Sequence, residues 1–261
     1  MKYSKFMYLF PPRPEVKTKP TELSRYDNGE YIAQPKYNGS CCIVFTNGVE
    51  VKVFNRHKEL LSNVSSLIDF KRLAKSKEWF AYAGEYLNKG KLGENGEKEV
   101  GKFVIWDLLV WNGEYLIGST LKQRLDLLEQ IYPCNRSVVS HKLEMYEHLC
   151  CTEILNIYKA PTYINNFASL YTEIVKTDLY EGLVLKKLNS KLTYGLQELN
   201  NTDWQIKCRK ETKQLKTNDG EFYGSVGRIF LAFATIGFTE LANDNHYECL
   251  KCGNKKTVSK I

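Results

Sequence analysis

The segment Ala33-Gln34-Pro35-Lys36-Tyr37-Asn38-Gly39 sets a lysine two residues ahead of an Asn-Gly pair. A lysine amine becomes a nucleophile when desolvation or neighbouring positive charge leaves it unprotonated. Alone, Lys36 reads as a surface lysine beside a turn. Its surroundings along the chain change that reading, because further reactive side chains recur in order. Arg56 stands in Phe54-Asn55-Arg56-His57, Glu85 in Tyr82-Ala83-Gly84-Glu85 and Trp106 in Phe103-Val104-Ile105-Trp106-Asp107-Leu108-Leu109. Glu181 and Lys186 bracket Glu181-Gly182-Leu183-Val184-Leu185-Lys186, and Lys207 and Arg209 close Trp204-Gln205-Ile206-Lys207-Cys208-Arg209. Glu181 opens an apolar strand, where a carboxylate is costly to bury without a cation or a hydrogen-bond partner. The types present are an amine nucleophile, carboxylates suited to a hard cation, and cations suited to anions. Neither G-x-x-x-x-G-K-[ST] nor G-x-G-x-x-G occurs, so P-loop and Rossmann readings lose their main support.

These residues need strands and turns to bring them together. Cys42–Thr46 and Val49–Phe54 flank Asn47-Gly48, the pair that best supplies the two positive φ values of a type I′ hairpin. Strand-like runs follow over 79–87 and 102–111, the second ending at another turn, Asn112-Gly113. Thr120-Leu121-Lys122-Gln123 forms a capping box, and Leu121, Leu125, Leu128 and Ile131 make a helical apolar stripe. Helices are expected within 143–158 and 163–177, and strands return over 181–187 and 204–210. Ahead of all this, Pro11, Pro12, Pro14 and Pro20 punctuate a basic, extended lead-in. The pattern is α+β: antiparallel strands with inserted helices rather than alternating βαβ units.

Composition sets the outer limits. The chain has 261 residues, 43% hydrophobic and 26% charged, which fits a folded domain and argues against disorder. No run approaches the roughly eighteen apolar residues of a membrane span, and no signal-peptide core precedes Pro11-Pro12, so an intracellular protein without a membrane partner is expected. The charge of +7 is compatible with a nucleic-acid partner. Eight cysteines in a chain this long, without an export signal, read as reduced and mostly buried thiols.

The ordered series from about Tyr31 to Lys210 resembles the covalent nucleotidyltransferase superfamily: ATP-dependent DNA ligases, RNA ligases and mRNA capping enzymes. The stretch Trp106-Asp107-Leu108-Leu109-Val110-Trp111-Asn112-Gly113-Glu114, with Gln123-Arg124 and Leu127-Leu128, looks most like the DNA-ligase branch. The resemblance implies an antiparallel two-sheet, ATP-grasp-like catalytic domain over 1–210 and a short C-terminal appendage over 211–261. It implies ATP and Mg²⁺ as cofactors, nicked double-stranded nucleic acid as partner, DNA ahead of RNA, and a monomer. By the same resemblance Lys36 attacks the α-phosphate and carries AMP, while Glu181 and Glu85 hold Mg²⁺, Glu85 also touching the ribose. Trp106 stacks on the purine, Gln34 lies near the adenine amino group, and Arg56 meets the sugar or an incoming phosphate. Lys186, Lys207 and Arg209 hold phosphates. Such chemistry needs an amine, positive charge on the triphosphate and a divalent metal. A compact ligase of this kind would also suit a virus or phage.

Four positions depart from the pattern: Cys41 stands where an arginine is usual, Ala83 where an acid often precedes Gly-Glu, Arg209 where a second lysine is common, and Gln34 where many ligases have glutamate. A glutamine amide accepts from an adenine amino group or donates to a guanine carbonyl, so it leaves the base open. The tail after residue 210 is short for a five-stranded OB barrel, and Gly224–Phe233 reads either as a strand pair from a reduced one or as a segment packed on the catalytic domain. His246-x-x-Cys249-x-x-Cys252-Gly253 resembles one knuckle of a zinc ribbon, short of a closed four-ligand Zn²⁺ site. An RNA ligase, a capping-type guanylyltransferase and a non-catalytic nucleic-acid-binding module stand as alternatives.

Overall fold

The computed structural model describes residues 16–62, 64, 67–93, 96–133, 150–193, 205–210, 214–217, 222–225, 245–248 and 255–258. The chain divides into two compact units, Met1–Arg209 and Lys210–Ile261. In the first, after a 3₁₀ helix at Pro20–Tyr26, come β1 (Tyr31–Tyr37), β2 (Ser40–Thr46), β3 (Val51–Asn55), α1 (Leu67–Lys71), β4 (Phe80–Leu87), β5 (Lys91–Leu92) and β6 (Lys98–Glu99). They are followed by β7 (Lys102–Trp111), β8 (Glu114–Tyr115), α2 (Leu121–Ile131), β9 (Cys150–Cys151), β10 (Ile157–Lys159), α3 (Phe167–Ile174), β11 (Tyr180–Lys187) and β12 (Ile206–Arg209). Strands dominate and helices are few. No helix among the described residues is long and apolar enough to cross a membrane.

A seven-stranded sheet has the order β3-β2-β4-β7-β10-β9, with β8 paired to β7; a three-stranded sheet has the order β1-β11-β12; β5 and β6 form a ribbon. On one face of the larger sheet, Cys42, Val44, Tyr82, Phe103, Ile105 and Leu108 pack against Phe70 and Leu73 and, from α2, Leu128. On the smaller sheet Ala33, Leu183, Leu185, Ile206 and Cys208 face Leu170 and Ile174 of α3. The other face of the larger sheet carries a second buried cluster, Ile43, Phe45, Ala81, Ala83 and Leu109 with Leu192. Helix α2 starts as its capping box requires: Thr120 Oγ1 accepts from the Gln123 amide at 3.2 Å and Gln123 Oε1 accepts from the Thr120 amide at 2.9 Å.

Three expectations are corrected. Strands β7 and β10 run parallel, Ile157 opposite Phe103, so the large sheet is mixed rather than antiparallel; α2, packed on β7, returns the chain before β10 begins. The helix expected within 143–158 is absent where the structure describes that stretch, because 150–151 and 157–159 are strands. Asn156, at φ +63, breaks any helix there, and the ladder with β7 supplies the backbone partners instead. The turn at Asn47-Gly48 is not type I′: only Gly48 has positive φ, and the connection runs four residues to Val51. The Asn47 side chain accepts from the amides of Val49 and Glu50, at 3.0 and 2.7 Å, which closes this longer loop. The two-residue turn with both φ positive lies instead at Asn112-Gly113, joining β7 to β8.

The second unit contains β13 (Gln214–Thr217), β14 (Phe222–Ser225), β15 (Asn245–Glu248) and β16 (Lys255–Val258), antiparallel in the order β14-β13-β15-β16. Of the strand pair expected over 224–233, Gly224 and Ser225 fall in β14 and the remainder lies outside the described residues. Of the zinc trio, the His246 backbone belongs to β15, while its side chain, Cys249 and Cys252 lie outside them.

Candidate active site

Side chains directly opposite on an antiparallel pair share a face. The register of the small sheet therefore gathers one set. Gln34 lies opposite Val184 and Lys36 opposite Gly182; Val184 in turn faces Lys207, and Gly182 faces Arg209. All of these positions line one cavity of about 730 Å³, except Gly182, which has no side chain to contribute.

Glu181 reaches that face by a different device. The register slips at Lys36/Tyr37, so Glu181 is the extra residue of a β-bulge. Gly182, next to it, has φ +131, and a Cβ there would collide with the carbonyl of Cys208. Only glycine holds this bend. The bulge turns Glu181 toward Lys36, and the Lys36 ammonium bonds Glu181 Oε2, with side chains 20% and 33% exposed.

The larger sheet supplies the opposite wall in the same way. Cys41 faces Glu85 across β2 and β4. Between β4 and β7 the register jumps from Ala83↔Asp107 to Gly84↔Ile105, leaving Trp106 as the bulged residue, and its ring lines the cavity. The Gly39 amide donates to Glu85 Oε1 at 3.0 Å, and a Cβ at Gly39 would collide with the Tyr86 carbonyl and the Glu85 side chain. The glycine after Lys36 thus lets the two walls close on each other. Burial pushes the Glu85 carboxyl up to about 7; Lys36 and the Gly39 amide oppose the shift, and Glu181 adds to it. Burial, seconded by Glu85, pushes the Cys41 thiol up to about 12, so a neutral group stands where an arginine is usual in the resembled family.

At one end of the cavity lies a buried polar chain. Lys186 Nζ donates to Gln34 Oε1 at 2.7 Å, and Gln34 Nε2 donates to Thr162 Oγ1 at 3.2 Å. An ammonium can only donate, so the amide atom facing it must be the oxygen, which fixes the orientation of Gln34. The Lys186 ammonium also lies 5.8 Å from the centroid of the Trp106 ring. Burial lowers Lys186 to about 8, against the pull of Asp107. Arg56 sits at the exposed mouth, its Nε 3.1 Å from His57 Nε2.

All nine residues expected to act on the nucleotide, Gln34, Lys36, Arg56, Glu85, Trp106, Glu181, Lys186, Lys207 and Arg209, line this single cavity. Residues in or beside the cavity that sequence reasoning gave no role are Asp107, Arg124, Thr162 and Lys17. Asp107 and Arg124 form a bidentate pair at 2.8 and 2.9 Å, Arg124 being 1% exposed. Its signal was present, since an arginine between Leu121 and Leu128 interrupts the apolar face of a helix. Thr162, which orients Gln34, and Lys17 carried no sequence signal. As for metals, no cluster of three or more candidate ligands occurs among the described residues. Two carboxylates, Glu85 and Glu181, flank Lys36, a donor set that fits a magnesium ion keeping its waters and phosphate oxygens.

The sequence profile of the family described as "ATP dependent DNA ligase domain" matches residues 15–207. Mycobacterial DNA ligase D complexed with ATP and MES superposes with a TM-score of 0.52 at 15% identity, covering 78% of this chain and 62% of that one. The ligase domain of M. tuberculosis LigD gives 0.51 at 15%, covering 83% and 62%. This chain thus spans under two thirds of both ligase D chains. A Lig E DNA ligase, from work on DNA binding with a minimal scaffold, gives 0.50 at 14%, covering 96% and 84%. No curated protein sequence matches the chain.

Proposed function

The chain belongs to the ATP-dependent DNA ligase domain family, and from that premise we propose that it seals 5′-phosphate/3′-hydroxyl nicks in duplex DNA through a lysyl-AMP intermediate. The observation that carries this reading is the Lys36–Glu181 pair, brought together by a bulge on the floor of a cavity that holds every other residue the chemistry asks for. Lys36 Nζ forms the bond to the α-phosphorus as the bond to pyrophosphate breaks, and the Glu181 carboxylate, already bonded to that amine, is placed to take its proton. AMP then passes to the 5′-phosphate, and the 3′-hydroxyl displaces it. Lys207 and Arg209, on the face of Lys36, hold phosphates. Magnesium, held by Glu181 and Glu85, would screen the negative charge that opposes the attack.

The buried chain at Gln34 favours ATP over GTP. Gln34 presents an oxygen and Lys186 a donor, matching the amino group and N1 of adenine and opposing the carbonyl and N1–H of guanine. The 2.7 Å bond from Lys186 to Gln34 supports a place for Lys186 at the base end, against Trp106, in preference to the phosphate role. Stacking of a base on Trp106 contributes about 1–3 kcal/mol. The same reading makes 1–210 the two-sheet, ATP-grasp-like adenylation domain, with 211–261 an appendage, and the whole a monomer.

The test is incubation of the protein and Lys36→Ala with Mg²⁺ and α-labelled ATP or GTP, followed by denaturing gels and then sealing of nicked DNA and nicked RNA duplexes. Label from ATP alone, lost in the variant, with sealing of DNA, supports the proposal. Label from GTP refutes the base assignment, and no label from a folded, unadenylylated sample refutes the enzyme.

A further inference from the structure

The outer edge of β12 is covered by the lead-in. Thr18 N donates to the Lys207 carbonyl at 3.1 Å and Lys207 N to the Val16 carbonyl at 3.2 Å, a parallel bridge that sets Lys17 opposite Lys207. Bridge partners share a sheet face, and Lys17, like Lys207, lines the cavity. Its side chain is exposed and makes no ion pair or side-chain hydrogen bond among the described residues. The row across the sheet runs Gln34, Val184, Lys207, Lys17. With strands about 4.8 Å apart, Lys17 stands about 14 Å from Gln34 by Cα, the far end from the base.

We propose that Lys17 is a phosphate-binding residue of this cavity, holding the β- and γ-phosphates that leave as pyrophosphate. The inference rests on the adenylylation reading above. A bound triphosphate brings several negative charges past Lys36 and Lys207, and beyond Lys207 the bridged lead-in offers the ammonium of Lys17, which lines the cavity. Charge-assisted hydrogen bonds to phosphate are about twice as strong as neutral ones. The contact is made only while pyrophosphate is present, so it acts on the first step and not on the later two.

The experiment separates the steps. For the full chain, initial rates of lysyl-AMP formation are measured against ATP concentration, and pyrophosphate-driven release of AMP against pyrophosphate concentration. Sealing is measured in a single turnover with pre-adenylylated protein and no ATP. Lys17→Ala is expected to raise the half-saturating concentrations of ATP and of pyrophosphate about tenfold and to leave sealing by the pre-adenylylated protein unchanged. Lys17→Arg should recover most of the loss. The bridge is made by backbone atoms, so the variants keep it, and matching thermal midpoints verify this. Unchanged dependence on ATP and pyrophosphate overturns the proposal. So does a defect confined to sealing, which would give Lys17 to a nucleic-acid phosphate. A wild-type protein that takes no label from ATP overturns the adenylylation reading itself, and this one with it.

Discussion

Arg124→Ala is expected to be among the most destabilising single changes in the first unit. The arginine is buried, and its bonds include Nε and Nη2 to the two Asp107 oxygens and Nη1 to the Ser119 carbonyl at 2.7 Å. Asp107 is itself 4% exposed, and its remaining acceptor capacity goes to the Leu108 amide at 2.9 Å. Truncating the arginine strands that carboxylate in the cavity wall. Removing one partner of a buried pair costs about 3–5 kcal/mol, whereas replacing both with apolar groups of similar size is often neutral. At about 2–4 °C per kcal/mol for a domain of this size, the loss lowers the melting midpoint by about 10 °C.

The assay is urea denaturation of wild type, Arg124→Ala, Asp107→Leu and the double change Asp107→Leu with Arg124→Met. Both singles should lose several kcal/mol, and the double should recover most of it. The pair also sits on opposite sides of the balance at Lys186, Asp107 raising its pKa and Arg124 lowering it. Single changes should therefore shift the pH dependence of nucleotide binding in opposite directions. A loss below about 1 kcal/mol for Arg124→Ala would refute the reasoning, because the desolvation that makes the pair costly to break would then be absent.

Two further changes follow from the same geometry. Glu85 is held up to about 7, so the folded state keeps a proton that the unfolded chain releases nearer 4.5. Stability therefore falls as pH rises through that window, by at most about 3 kcal/mol for a half-buried group. Glu85→Gln should flatten the slope of urea midpoints between pH 5 and 8, and an unchanged slope would assign it to other groups. Gly182→Ala meets both a forbidden φ and the Cys208 carbonyl. It should cost about 2–3 kcal/mol and abolish label at Lys36, and a stable, fully active variant would remove the bulge from the account.

Local rules made some of this legible from residues alone. The capping box at Thr120 begins α2, and the apolar run of 102–111 is β7 end to end. The nine residues that line the cavity could be named because the ordered motifs carrying them resemble those of a known family. Where sequence reasoning failed, the deciding term was pairing between distant strands. Nothing local distinguishes the Asn-Gly pair that makes a two-residue turn from the one that does not; Val110↔Tyr115 pairing decides it for Asn112-Gly113. Tyr158 belongs to a strand because β7 offers its edge, and Lys17 enters the cavity because β12 offers its own.

The same term places Trp106 and Glu181 in the cavity wall. Strict alternation along β7 would give Trp106 the opposite face from Ile105 and send Asp107 back toward the core with Ile105. In the sheet, Ile105 and Leu108 both pack on the helix side, three residues apart, which two-residue alternation forbids without an inserted residue. The bulge at Trp106 absorbs that residue, so the tryptophan and Asp107 both border the cavity. On β11 the inserted residue is Glu181, and the insertion turns its carboxylate toward Lys36 while Leu183 and Leu185 keep their places in the core. Each wall of the site thus carries a bulge, at Glu181 on β11 and at Trp106 on β7, where the register slips a second time at Leu109. The geometry of this cavity is a property of register, and a one-residue change in either pairing would dismantle it while leaving every residue present.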